Sequence, residues 1–187
     1  MIAIRRARLP DAAAIGAVHV SAWRSAYAGI LPETYLAQLS AARQAAHYQA
    51  AMQNGVGVHV ATVSGEQLGP GGGPPRVVGF VTCAPTRDPG GLAEGEIETL
   101  YVLDDWRERG LGRRLIQAAA AYLVAAGCNT AFLWVLRDNP SRWFYERLGG
   151  KAVAEATIPV AGRDVVQTAY LWAPIDRLTA APTDQPS

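Results

Sequence analysis

The stretch Glu94 to Leu115, EGEIETLYVLDDWRERGLGRRL, constrains the chain most, because it prescribes a strand, a sharp turn and a helix in immediate succession. Glu96 to Leu103 has the β-branched and aromatic content of a strand. Asp104-Asp105-Trp106 interrupts it, and Arg107 to Gly112 leads into a run from Arg113 to Ala120 with strong helix propensity. A glycine turn feeding a helix start is either a device for holding an anion or a βα connection whose glycines only serve chain geometry. The first N–H groups of a helix lack internal partners, and the helix dipole adds partial positive charge there. Gly110 and Gly112 carry no Cβ, so a phosphate can approach the backbone, and Arg107, Arg109, Arg113 and Arg114 surround the turn with charge. No G-K-[ST] follows, so this is not a Walker loop, and the G-x-G-x-x-G order is absent.

At 187 residues the natural expectation is one domain, over 1–173, followed by a flexible tail over 174–187. Half the residues are hydrophobic and the formal net charge is +1, which gives no reason to propose nucleic acid or an anionic membrane as partner. Cys83 and Cys128 fall in or beside apolar strands, and His19, His47 and His59 make no ligand spacing, so neither a disulfide nor a metal is expected. The N-terminus lacks a secretory leader and no apolar run is long enough to cross a bilayer, so the default compartment is cytoplasmic.

Along the chain, Ile2 to Ala7 reads as a strand. A helix opens at Pro10-Asp11 and carries Ile15, Val18, His19, Ala22, Trp23 and Tyr27 on one stripe. Helices follow over 32–39 and 41–52, then a strand over 56–63. Gly and Pro dominate 64–75, which reads as a mobile hairpin loop before a strand over 76–84 with a bulge at Gly79. After the helix 111–126, Gly127 suits a helix end, and 130–136 is a nearly continuous apolar strand. Asn139 and Pro140 read as the N-cap and first residue of a short helix to Leu148. The segments 153–160 and 164–172 form a hairpin around Ala161-Gly162-Arg163.

Arg107-x-x-Gly110-x-Gly112, after a strand ending Leu100-Tyr101-Val102 and before a helix, resembles the acetyl-CoA signature of the GNAT N-acetyltransferase superfamily. A second segment, Leu133 to Gly150, resembles the GNAT strand followed by N-x-x-A-x-x-F-Y-E-x-x-G-F. The resemblance implies an α+β fold, a mixed and mostly antiparallel sheet splayed at its middle strands and flanked by helices. It also implies acetyl-CoA as acetyl donor, no metal, and a small-molecule or peptide amine as acceptor. By the same resemblance Leu100, Tyr101, Val102, Arg107, Arg109, Gly110, Leu111, Gly112, Arg113 and Asn139 hold the donor. A main-chain N–H near Leu100–Val102, where the strand bulges, would stabilise charge on the thioester oxygen. Tyr145 would protonate the departing thiolate. Asn139 precedes Tyr145 by six residues where the family has seven, so Asp138 competes for the Asn place. The family's last Phe is Gly150 here.

An amine must lose a proton before it attacks a thioester, and a nearby carboxylate can take it. Glu96 and Glu98 share one strand face; Glu96 is preferred because its place, eleven residues before Arg107, resembles the one where several GNAT enzymes carry a catalytic Glu, with a solvated strand face as the bland alternative. Trp23, Tyr27, Tyr35, His47 and Tyr48 are candidates for the acceptor side, and Trp23 to Pro32 resembles a segment of one broad group of bacterial GNAT proteins. Core packing is the first reading of Trp23 and Tyr27, and of His19. Trp106 is read as cover for apolar surface beside the turn. The terminal hairpin and unpaired sheet edges allow a homodimer. A non-catalytic acyl-CoA-binding domain is the rival reading, and an interaction protein with Trp23 and Tyr27 exposed is a third.

Overall fold

Seven apolar-rich segments separated by Gly, Pro or helical runs pair into one sheet in the computed structural model, which describes residues 1–69, 72–86 and 91–179. The strands are β1 (Ile2–Arg6), β2 (Gly57–Val63), β3 (Arg76–Pro85), β4 (Gly95–Val102), β5 (Ala131–Leu136), β6 (Lys151–Val160) and β7 (Arg163–Trp172). Their order is β1-β2-β3-β4-β5-β7-β6. Every neighbouring pair is antiparallel except β4 and β5, so the mixed α+β architecture implied by the resemblance is the one observed.

Helices cover both faces because each presents one apolar stripe. On α4 (Leu111–Ala125), Leu111, Leu115, Ile116, Ala119, Ala120 and Leu123 are buried at helical spacing. They pack on Val81, Cys83, Ile97 and Leu133. Each large side chain among them contributes about 1.5–3 kcal/mol by leaving water. The opposite face is covered by α1 (Ala12–Ala26) and α3 (Ala41–Gln53), with Ile15, Val18 and Tyr48 against Val58, Val60 and Phe80. The helices α1 and α3 meet at Gly16, where a Cβ would lie 2.4 Å from the Ala41 carbonyl oxygen. The short α2 (Glu33–Ala37) caps a third cluster, in which Tyr27, Leu31 and Leu36 pack on Leu136, Val160 and Val165.

Several local expectations are corrected. The helix read from Asn139 is α5 (Arg142–Arg147), with Ser141 at its N-cap position. Asn139 instead closes a turn, its Oδ1 accepting the Ser141 N–H at 2.8 Å, a local bond that competes with helix. The bulge expected near Leu100–Val102 lies earlier in β4. Thr82 pairs with Thr99 and Cys83 with Ile97, so Glu98 is the extra residue. The bulge read at Gly79 is at its neighbour: Gly79 pairs with Ala61 and Val77 with Thr62, leaving Val78 over. Within 64–75, Gly65–Leu68 forms a 3-10 turn, while 70–71 lie outside the described residues. The tail does not begin at Pro174. Ile175 and Leu178 are buried in the α4 core, Leu178 from α6 (Asp176–Thr179), and 180–187 lie outside the described residues. No helix among the described residues is long and apolar enough to cross a membrane.

Candidate active site

Strands β4 and β5 run parallel, yet only Gly95 and Glu96 are paired, with Ala131 and Phe132. Beyond Glu96 the strands separate, because the Glu98 bulge turns β4 away while β5 stays on β7 through Leu136. The gap opens into a cleft of about 840 Å³. On its β3 side, β4 remains paired, and Leu103 donates its N–H to the Val78 carbonyl at 2.9 Å. Strand alternation therefore turns the N–H groups of Leu100 and Val102 towards the gap.

One end of the cleft is the turn Asp104 to Arg113. Gly110 holds φ +72°, a left-handed conformation that a side chain would strain, and a Cβ there would meet nothing within 4 Å. Gly112 has a different reason to lack a side chain: its Cβ would lie 3.2 Å from Cζ of Phe144, which packs α5 against the start of α4. The first main-chain bond of α4 is Arg114 N–H to the Gly110 carbonyl at 3.1 Å. The N–H groups of Leu111, Gly112 and Arg113 are thus left at the helix end facing the cleft. Arg107 is braced by Asp104 at 2.9 Å, and the Ser25 hydroxyl also donates to Asp104, which ties the turn to α1.

Of the residues singled out in the sequence, Leu100, Tyr101, Val102, Arg107, Gly110, Leu111, Gly112, Arg113 and Asn139 line this cleft, together with Glu98, Tyr145, Trp23 and Tyr27. Glu96 and Arg109 do not. The Arg109 guanidinium instead lies over the Trp106 ring, 4.6 Å from its centroid. Glu96 sits half-buried one pair before the gap; burial, then the Glu98 charge, pushes its carboxyl above the usual range. Glu98 is held at the opening by the Thr82 hydroxyl, which donates to its Oε2 at 3.2 Å, with Thr99 2.7 Å from Thr82. Asn139 is buried and donates to the Tyr27 hydroxyl at 3.5 Å, whereas the Asp138 side chain is 75% exposed, so Asn139 is the one that faces the cleft.

Tyr145 stands on α5 against Tyr170 and Trp172, with 8% of its surface exposed. Burial, reinforced by Tyr27, pushes its phenol up, so the hydroxyl keeps its proton and is a donor. Tyr27 is buried, and Trp23 is partly so and meets it edge-on at 4.8 Å, which leaves no exposed aromatic patch of the two. His19 stacks on Trp23, and its Nδ1 is 2.7 Å from the Tyr48 hydroxyl; burial lowers its pKa to about 4. His19 is therefore a satisfied neutral core histidine. Sequence reasoning passed over Thr82 and Thr99, which fix Glu98, and Trp134, Leu136 and Gln167, which wall the cleft. Period-2 alternation against Leu133 and Val135 would have placed Trp134 and Leu136 on their own face.

Residues 20–150 match the acetyltransferase (GNAT) family. The chain is similar to the uncharacterized N-acetyltransferase YuaI of Bacillus subtilis, at 29% identity over 178 residues, 95% of this chain and 96% of that one. Among solved structures, a GCN5-related N-acetyltransferase from Rhodopseudomonas palustris superposes with TM-score 0.66 and 26% identity over 91% of this chain and 94% of the other. YncA of Salmonella typhimurium, solved with acetyl-CoA, has TM-score 0.67 and 21% identity over 99% of each chain, a likeness of fold. Strand order, the gap beside β4, the glycine-arginine turn and these likenesses agree: the chain belongs to the acetyltransferase (GNAT) family.

Proposed function

We propose that the protein is an N-acetyltransferase that passes the acetyl group of acetyl-CoA to a primary amine by direct attack in a ternary complex. The observation that carries this reading is the single cleft joining an anion-holding helix end, an unpaired strand edge, a carboxylate and a buried phenol. The residues fit the donor on three counts. The open α4 N-terminus beside Arg107 and Arg113 suits a diphosphate. The gap-facing edge of β4 suits an extended amide-bearing arm, which pairs as an added strand. The cleft continues from that edge to Glu98 and Tyr145.

The donor's thioester supplies an activated acyl carbon and a thiolate leaving group. Glu98, directly or through a water, takes the proton that the incoming ammonium must lose. It is preferred to Glu96 because reach to the substrate comes before pKa, and Glu98 is the carboxylate lining the cleft. One main-chain N–H at the Leu100–Val102 edge is a fixed donor for negative charge growing on the acyl oxygen, the rest of that edge being left to the arm. As the carbon–nitrogen bond forms and the carbon–sulfur bond breaks, Tyr145 gives its proton to the departing sulfur. Arg107, Gly110, Leu111, Gly112 and Arg113 anchor the diphosphate, with Asn139 beside the arm. Arg109 acts from the rim, steadying Trp106 under the turn.

Thiol release from acetyl-CoA across a panel of amines, with CoA affinity measured in parallel, tests the reading. Turnover on at least one primary amine is the expected result. CoA binding without turnover on any amine favours a non-catalytic acyl-CoA-binding domain instead.

A further inference from the structure

The strand β5 divides the cleft into two chemically unlike sides. Leu133 and Val135 point into the core under α4, which also holds Tyr145 and Phe144. Trp134 and Leu136 point to the other face, where Leu136 and Val160 pack with Tyr27 and Trp23. Gln167 pairs directly with Leu136 and so shares that face. This second side is where an acceptor must enter, since the first is taken up by the turn and α5.

Charge on the two sides is distributed very unevenly. Among the described residues lining the cleft, the carboxylates are Glu98 and Glu108, and Glu108 belongs to the phosphate turn. The cations are Arg107 and Arg113, also at the turn, and Arg147 on α5 across the sheet. Within the described lining the acceptor side therefore offers one negative charge, at Glu98, and no positive one, with the half-buried Glu96 lying behind Glu98 outside the lining. A second ammonium on the acceptor would enter an aromatic and aliphatic wall unpaired, which is costly. A carboxylate on the acceptor would find no cation and would face Glu98. A single ammonium finds Glu98 and the ring faces of Trp23 and Tyr27. The cleft volume is shared with the donor's arm, which limits the acceptor's bulk.

We infer that the acceptor is a small primary monoamine carried on an aromatic or aliphatic body, with at most one neutral polar group to meet Gln167. This rests on the acetyltransferase reading above. It selects against polyamines, polycationic aminoglycosides and free amino acids.

Matched amine pairs test the inference with the intact protein and acetyl-CoA. 2-Phenylethylamine is compared with phenylalanine, which adds a carboxylate, and hexylamine with 1,6-diaminohexane, which adds an ammonium. The monoamine of each pair is expected to have the higher kcat/KM by about tenfold or more, the scale on which a mismatched polar group discriminates. Gln167→Glu places a second carboxylate on the acceptor side and should narrow or invert the preference for hexylamine over the diamine. Equal or better turnover of the diamine or the amino acid by the unaltered protein overturns the inference while leaving acetyl transfer standing. Selective turnover of a peptide N-terminus overturns it in the same way. Bound acetyl-CoA with no amine acetylated removes both the inference and the reading beneath it.

Discussion

The two ends of the cleft are built by opposite means. The turn proposed to hold the diphosphate is local: Asp104 to Arg113 supply its backbone, its charges and its two glycines from ten consecutive residues. The proposed acceptor side is assembled from α1, β4, β5, β6 and β7, and Glu98, its one carboxylate among the described lining residues, is placed by a bulge that only pairing with β3 creates. A local device depends on backbone conformation, and a single substitution can spoil it without disturbing the sheet. A dispersed one depends on the packing of several elements, and its chemistry can be altered while the turn still holds its ligand.

That difference predicts separable phenotypes. The largest effect belongs to Glu98→Gln: kcat should fall by roughly 10²–10⁴-fold, the usual worth of a positioned base, with acetyl-CoA affinity unchanged. The same substitution at Glu96 should cost far less, and the reverse order would return the base to Glu96. Tyr145→Phe comes next, lowering kcat by on the order of tenfold to a hundredfold. A thiol titrates near 8.5, so a departing thiolate needs less help than an ammonium needs in losing its proton. Stopped turnover assays and calorimetric binding of CoA separate these two effects; equal turnover in Tyr145→Phe removes that residue from the proposal.

At the turn, Gly110→Ala should destabilise the protein by about 1–2 kcal/mol, the cost of a left-handed residue with a Cβ, and weaken CoA binding. Since a Cβ there meets no neighbour, relaxation of φ rather than a clash governs the loss. Smallest is a pH effect away from the chemistry. His19 titrates near 6.5 when unfolded and at about 4 when folded, so below 6.5 the unfolded chain binds a proton that the folded one refuses. Stability from this group is complete above about pH 6.5 and is lost progressively as pH falls to about 4. Thermal unfolding of His19→Asn should show a shallower acid decline over that window.

Legibility followed the same division. Helix and strand identity could be read where a local signal was strong, the helical stripe of α1, the helix propensity of α4 and the apolar run of β5, and the turn was found from six residues, Arg107 to Gly112, because its physics is local. The position of the β4 bulge could not be read, since it is set by which residue of β3 faces Thr99. The preference for Glu96 came from the resemblance of its place before Arg107 to a family position, and the bulge is what brings Glu98 to the opening. At α5 the Asn-Pro pair has the form of a helix start, but a side-chain bond from Asn139 to its second neighbour holds the chain in a turn for two more residues. The C-terminal segment looked polar and short of pattern, and only the tertiary pocket beside α4 explains why Ile175 and Leu178 are buried.

The most direct measurement is a crystal structure of the protein with CoA. It should show the diphosphate on the main-chain nitrogens of Leu111, Gly112 and Arg113, the amide-bearing arm along β4 at Leu100–Val102, and the sulfur within reach of the Tyr145 hydroxyl. A ligand bound elsewhere, with the opening between β4 and β5 closed, would contradict the account at its root.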